Sequence, residues 1–73
     1  MKLPVISGLK AVKALRKKGF EVDHQTGSHF IMREINPPFR RVTVPNHDVI
    51  VPGTLLSIIR QAGLGRENFI ELL

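Results

Sequence analysis

Apolar residues recur at helical spacing in the first part of the chain, between Ser7 and Gly19. These apolar positions are Leu9, Ala11, Val12 and Leu15. They fall on one side of a helix with 3.6 residues per turn, which predicts an amphipathic helix over residues 8–18. Ser7 is a residue type that caps helix N-termini, and Gly19 accepts the left-handed conformation in which many helices end.

After Gly19 the pattern changes to a period of two, which is typical of strands that bury one face. Three short strands are predicted, at residues 20–23, 29–34 and 41–44. Pro45 would end the third strand, because proline has no N–H for the sheet ladder. The connections are too short for parallel crossovers, so the sequence predicts a three-stranded antiparallel meander.

A second helix is predicted to begin at Pro52, which suits the first turn of a helix, and to end at Gly63. Its apolar positions are Leu55, Leu56, Ile58, Ile59 and Ala62. Residues 66–72 can add a short third helix through Phe69. The order αβββα predicts a single α+β domain over residues 1–73, in which the helices cover one face of the sheet and the other face stays open.

Eleven Lys and Arg residues stand against six Asp and Glu, giving a net charge of +5 and a pI of about 10.5. This excess favours a polyanionic partner such as nucleic acid, while an anionic membrane surface or an acidic protein stays open as an alternative. Cysteine is absent, which excludes disulfides, thiolate metal sites and cysteine nucleophiles. No long apolar segment occurs, so we expect neither a signal peptide nor a membrane span, and a cytoplasmic location.

The positive charge is concentrated on the first predicted helix, where no acidic residue interrupts Lys10 to Lys18. Four of its basic residues, which we call the basic ridge, are Lys10, Lys13, Arg16 and Lys17. They recur on the side of the helix away from Val12 and Leu15, which suits contact with phosphates. Ordinary solvated charges on an exposed helix are the alternative. The four phenylalanines are mostly expected in the core, so no platform for reading bases is predicted.

His29 is the strongest candidate for chemistry on the open face of the sheet. Alternation along the strands predicts that His29 and Arg33 share this face with Arg41 of the third strand. Metal-free RNA hydrolysis needs a base that works near neutral pH, and it needs cations for the developing charge. Arg33, Arg41 or a lysine of the first helix could supply these cations as supporting residues of the active site. His24 or His47 could serve as the acid. From the pattern alone, an ordinary exposed strand histidine remains the alternative.

The turn Thr26-Gly27-Ser28 directly precedes His29. Glycine there lets a phosphate approach backbone N–H groups closely, although glycine in a hairpin is commonly only a turn residue.

The potential metal ligands are His24, His29, His47 and Asp48. Their spacing matches no metal signature, so neither a metal nor another cofactor is predicted.

Short motifs along nearly the whole chain, taken in order, resemble the HicA family, the toxins of bacterial and archaeal toxin–antitoxin pairs. The motifs are Ser7-Gly8, Leu15, Lys17-Lys18-Gly19-Phe20, Gly27-Ser28-His29, Val42-Thr43-Val44-Pro45, His47, Gly53-Thr54-Leu55, Ile58-Ile59, Gln61-Ala62-Gly63 and Phe69. Each is weak by itself, but their order and spacing are specific. Two departures are Pro37-Pro38, which lengthens the second hairpin, and Val51-Pro52 before Gly53.

The resemblance implies a fold like that of double-stranded RNA-binding domains and metal-independent cleavage of mRNA that inhibits translation. It implies that His29 is the active histidine, with Gly27 in the same motif, Ser28 as a phosphate neighbour and His47 in a supporting position. It also implies a HicB-type antitoxin that covers the active surface. The expected partners are therefore mRNA and this antitoxin. A non-catalytic RNA-binding module and a purely protein-binding regulator are the competing hypotheses.

Overall fold

The computed structural model describes residues 2–73, and its elements follow the predicted order. They are α1 (Gly8–Lys17), β1 (Phe20–Thr26), β2 (His29–Glu34), β3 (Arg41–Pro45), α2 (Pro52–Gln61) and α3 (Arg66–Glu71). The α+β class, the αβββα order and the short third helix are therefore confirmed. Within residues 2–73, no helix has the length and apolar character needed to cross a membrane.

The three strands form an antiparallel sheet in the order β1-β2-β3, as predicted. β1 is longer than its period-two pattern indicated, because a bulge at Asp23 interrupts the alternation. The extra residue places His24 opposite Ile31 and Thr26 opposite His29. Without it, His24 would lie opposite Phe30 on the core side, so the bulge moves this histidine to the open face.

One apolar cluster fills the space between the sheet and the helices. From the strands it takes Phe20, Phe30, Met32, Val42 and Val44, and from the helices Ala11, Val12, Ala14, Leu15, Leu55, Ile58, Ile59 and Phe69. The helices therefore cover one face of the sheet, as predicted. Leu9, expected in this stripe, is instead 56% exposed. It follows the buried Gly8 by one residue and so lies about 100° around the helix from Gly8, beyond the edge of the buried side.

The N-terminal end of α1 lies directly against the connection between β3 and α2. Ser7 caps the helix, since its side chain accepts a hydrogen bond of 3.1 Å from the Lys10 N–H. The Gly8 N–H donates to the His47 carbonyl at 2.9 Å, and the Ile50 N–H donates to the Ile6 carbonyl at 2.9 Å. These two bonds hold the segment that carries His47.

We expect Gly8→Ala to destabilise the fold, because a Cβ at this position would collide with the backbone carbonyl oxygen of Pro45. Overpacking of this kind lowers the free energy of unfolding by about 1–3 kcal/mol. Urea denaturation measures the change. Gly53→Ala is the matched control in the first turn of α2, since no atom lies within 4 Å of its Cβ. Equal losses of unfolding free energy in both variants would contradict a specific effect of the contact between Gly8 and the Pro45 carbonyl.

Candidate active site

A groove of about 580 Å³ lies between strands β2 and β3 and one side of α2, along the length of that helix. Its polar lining residues are His29, Thr43, His47, Thr54, Ser57 and Gln61. Pro45, Val49, Ile50 and Val51 supply an apolar wall. The groove thus brings together two of the histidines that the sequence singled out, although they are far apart along the chain.

His29 begins β2 and is exposed at the end of the sheet, opposite Pro45 of β3. The Ser28 Oγ lies 3.3 Å from the His29 Nδ1, a hydrogen bond whose direction depends on the tautomer of the ring. The Asn46 N–H donates to the Ser28 carbonyl at 2.7 Å. The turn that carries His29 is therefore tied to the segment that carries His47.

Gly27 is required in this turn by its backbone conformation. Its φ is +44°, in the left-handed region that glycine accepts most easily. A Cβ at Gly27 would meet no atom within 4 Å, so side-chain crowding does not explain the glycine. The geometry accounts for Gly27 as a turn residue that sets the direction in which the chain enters β2.

His47 lies in the irregular segment between β3 and α2, and its side chain is exposed at the groove. Its backbone carbonyl accepts the hydrogen bond from Gly8, so the main chain at this histidine is fixed by α1. Among the sequence-predicted residues, His29 and His47 therefore line one groove, with Ser28 hydrogen-bonded to His29.

Arg33 and Arg41 lie directly opposite each other in the β2–β3 register, on the open face. They do not line the groove. Arg33 follows His29 by four residues, and at a strand rise of about 3.3 Å per residue their Cα positions are roughly 13 Å apart. The structure thus places the two arginines on the same face as His29 but toward its other end.

The face of α2 that lines the groove includes residues to which the sequence assigned no role. Thr54 and Ser57 contribute hydroxyl groups, and the Gln61 Oε1 accepts a hydrogen bond of 3.0 Å from the Thr43 N–H. Val51 makes no side-chain capping bond at the start of this helix. Val51, Gly53 and Thr54 line the groove, so the first turn of α2, where the helix dipole is positive, borders it. Thr54 and Gln61 belong to the motifs that resemble the HicA family, and this resemblance was the sequence signal that could have identified them as site residues.

The four residues of the basic ridge are exposed on α1, opposite its buried side. The ion pairs found within residues 2–73 are His24–Asp23 and Arg40–Glu34, so none involves the ridge. A row of cations without carboxylate partners keeps its attraction for an external anion. The predicted location of this charge on α1 is thus seen in the structure.

His24 and Asp23 form an exposed pair outside the groove, with 2.8 Å between the His24 Nδ1 and the Asp23 Oδ2. This hydrogen bond holds the pKa of the Asp23 carboxyl below its ordinary value, and the positive charges of His24, Arg41 and Arg33 add to the effect. Across residues 2–73, no group of three or more histidine or carboxylate side chains is arranged to hold a metal ion. His24 thus lies outside the groove that His47 lines.

These features define a small basic α+β protein with a histidine-lined groove at one end of an antiparallel sheet. The family model described as HicA toxin of bacterial toxin-antitoxin matches residues 8–64, from α1 to just beyond α2. The chain belongs to the HicA toxin family, which confirms the resemblance seen in its motifs. Membership implies a toxin–antitoxin system with an antitoxin partner. No curated protein matches the chain.

We expect His24→Gln to raise the pKa of Asp23 toward its ordinary value, because the variant removes the imidazole charge and the present hydrogen bond. Titration of the Asp23 carboxyl carbon by NMR measures this shift. Because the folded-state pKa is lowered, any stability from this pair is present above the unfolded-state pKa and is lost as pH falls through the folded-state pKa. An unchanged Asp23 titration in the variant would contradict the pairing.

Proposed function

We propose that this chain is a toxin that cleaves mRNA without a metal or another cofactor, and that residues 1–73 act as one domain in the cytoplasm. The observation that carries the proposal is that His29 and His47 line one groove beside α2. Of two imidazoles, one can accept a proton from RNA and the other can donate one near neutral pH, and RNA supplies its own nucleophile in the 2′-hydroxyl. Family membership agrees with this activity.

In the proposed reaction His29 is the catalytic base and His47 is the acid. His29 takes the proton of the 2′-hydroxyl as its oxygen attacks the neighbouring phosphorus. His47 gives a proton to the departing 5′-oxygen, which leaves a 2′,3′-cyclic phosphate on one fragment and a 5′-hydroxyl on the other. Proton transfer by positioned side chains contributes about 10²–10⁴-fold to such rates.

The negative charge that builds up on the phosphate oxygens needs donors in the groove. Thr54 and Ser57 offer hydroxyl groups there, and the first turn of α2 offers backbone N–H groups and a positive dipole. Ser28 holds the imidazole of His29 through its hydrogen bond and so acts as a positioning residue beside the phosphate. Gly27 permits the turn that brings both residues to the groove.

RNA beyond the cut bond is proposed to follow the positive charges outside the groove. Arg33 and Arg41 do not line the groove and lie toward the other end of the strands from His29, so we assign them to phosphates that flank the cut. The basic ridge on α1 offers further phosphate contacts. Such contacts add affinity for any sequence and are strongly salt-dependent.

The antitoxin partner is proposed to be of the HicB type and to cover the groove. Val49 and Val51 are 55% and 60% exposed, and both lie on the groove wall beside His47. Exposed apolar residues around a polar site can be buried by a protein partner, and their burial excludes water from the interface. An antitoxin seated there would block access of RNA to both histidines.

We expect His29→Ala to abolish cleavage of mRNA in the presence of EDTA, while RNA binding and folding persist. The exposed imidazole supports no core contact, so its loss should remove the base and leave the fold intact. Mapping of the cut ends measures cleavage and identifies the cyclic phosphate. His47→Ala should slow cleavage by about 10²-fold or more, since it removes the proposed acid.

His24→Ala is the matched control, because it removes an exposed histidine of the same sheet face that does not line the groove. It should retain cleavage close to that of the unaltered chain. Undiminished cleavage by His29→Ala would overturn the proposal. RNA binding without any products from the unaltered chain would favour the second candidate, a non-catalytic RNA-binding module, which the unpaired charges of the basic ridge also suit.

We expect Arg16→Gln to weaken RNA binding and to reduce its salt dependence. Each phosphate of single-stranded RNA that the protein no longer neutralises makes the slope of log Kobs against log salt shallower by about 0.7. Fluorescence anisotropy across a salt series measures both effects. Arg66→Gln on α3 is the matched control, since Arg66 is also exposed and takes part in no ion pair within the described residues. Equal slopes for the two variants would contradict the proposal that the basic ridge binds RNA phosphates.

A further inference from the structure

Phe39 differs from the other three phenylalanines of the chain. Phe20, Phe30 and Phe69 belong to the core and are at most 9% exposed, whereas Phe39 is 46% exposed in the loop between β2 and β3. The sequence pattern favoured the core for most phenylalanines and therefore predicted no aromatic platform for bases. Three of the four phenylalanines thus lie in the core, in agreement with that expectation, and Phe39 is the exposed one.

The loop presents Phe39 in a conformation that its residue type disfavours. Its φ is +57°, in the left-handed region, which costs about 1–2 kcal/mol for a residue with a Cβ. The Phe39 N–H donates to the Asn36 carbonyl at 2.9 Å. Next to it, Arg40 bonds Glu34 through both its backbone N–H and its guanidinium. A well-tied loop that keeps a bulky residue in this conformation suits a functional site.

A guanidinium lies over the ring of Phe39. The Arg33 Cζ is 5.5 Å from the ring centroid, within the range of cation–π contact. Arg33 also lies directly opposite Arg41, and neither is a member of an ion pair in the described part of the chain. Like charges directly opposite each other weaken a sheet. Glu21 lies opposite Arg33 on β1, and both arginines lower the pKa of Asp23, but neither carboxylate forms an ion pair with them. An exposed aromatic ring therefore adjoins two arginines that make no direct contact with a carboxylate of residues 2–73.

We propose that Phe39 and Arg33 form a nucleobase-stacking site for single-stranded RNA, with Arg41 binding an adjoining phosphate. An unpaired nucleotide offers both groups that this cluster can bind: a flat π-surface for the ring or guanidinium, and a phosphate for the second arginine. An apolar protein segment would leave the two guanidinium charges without partners. The site requires an unpaired base, because bases within a duplex are stacked on one another.

The position of this site assigns it to a nucleotide that flanks the cut. Arg33 lies on the same sheet face as His29, with Cα positions roughly 13 Å apart along β2. The inference rests on the proposed function in that the same RNA strand occupies the groove. A base held at Phe39 would then fix which phosphodiester reaches His29, so that the loop helps to select the cut position.

The test measures RNA binding in a His29→Ala background, where binding can be followed without cutting. The probe is a short fluorescently labelled single-stranded RNA, and the readout is anisotropy. Phe39→Leu keeps an apolar side chain but removes the π-surface, so affinity should fall by about 5- to 150-fold, the range for loss of one base stack. Phe39→Tyr should retain the affinity. An affinity unchanged by Phe39→Leu would overturn the proposal.

A series of RNAs with one abasic position each identifies the base. At one position the difference between phenylalanine and leucine at residue 39 should vanish, because the stacking partner is gone from both complexes. A difference that persists at every position would overturn the stacking interpretation. The cleavage activity of the unaltered chain does not enter this readout, so failure of the proposed ribonuclease and failure of the stacking site remain distinguishable.

Ile35→Ala is the matched control, because Ile35 is a 55% exposed apolar residue of the same loop. It should leave RNA affinity unchanged, and an equal loss would overturn the proposal. Thermal unfolding of the Phe39 variants shows that the fold is retained. Weaker binding of purified antitoxin, with unaltered RNA affinity, would instead identify the loop as a protein interface and would likewise overturn the proposal.

Discussion

The close approach of α1 to the connection between β3 and α2 is the interaction on which the candidate site depends. Gly8 lies so near the Pro45 carbonyl that it has no room for a side chain, and its N–H donates a hydrogen bond to the backbone carbonyl of His47. The connection has no regular secondary structure of its own. Its position, and with it that of His47, is therefore set by a helix from the other end of the chain.

The open face of the sheet carries two different functions at its two ends in our proposal. At one end, His29 lies at a groove completed by His47 and α2. At the other end, Arg33 and Phe39 offer charge and an aromatic surface. A domain of this size has a thin core with little room for an enclosed pocket, which favours binding of an extended substrate across its surface. A nucleic-acid strand suits such a layout.

Local patterns were sufficient to predict the elements, because each helix and strand here buries one side and its sequence repeats accordingly. The same patterns failed where a single residue departed from them. Asp23 adds one residue to β1 and moves His24 to the open face, and Leu9 lies just off the buried side of α1. Phe39 received no prediction of its own, because apolar character does not tell an exposed loop residue from a core residue, and its exposure depends on the loop.

The sequence alone determined the α+β order, the basic surface of α1 and the family motif that contains His29, since composition and periodicity act over short stretches of chain. Only the tertiary structure decided which of the other chemical groups lie near that histidine. It brought His47 and α2 to the groove and placed Arg33 and Arg41 elsewhere. The reason is that strand register and helix packing, which join residues distant along the chain, set the distances on which chemistry depends.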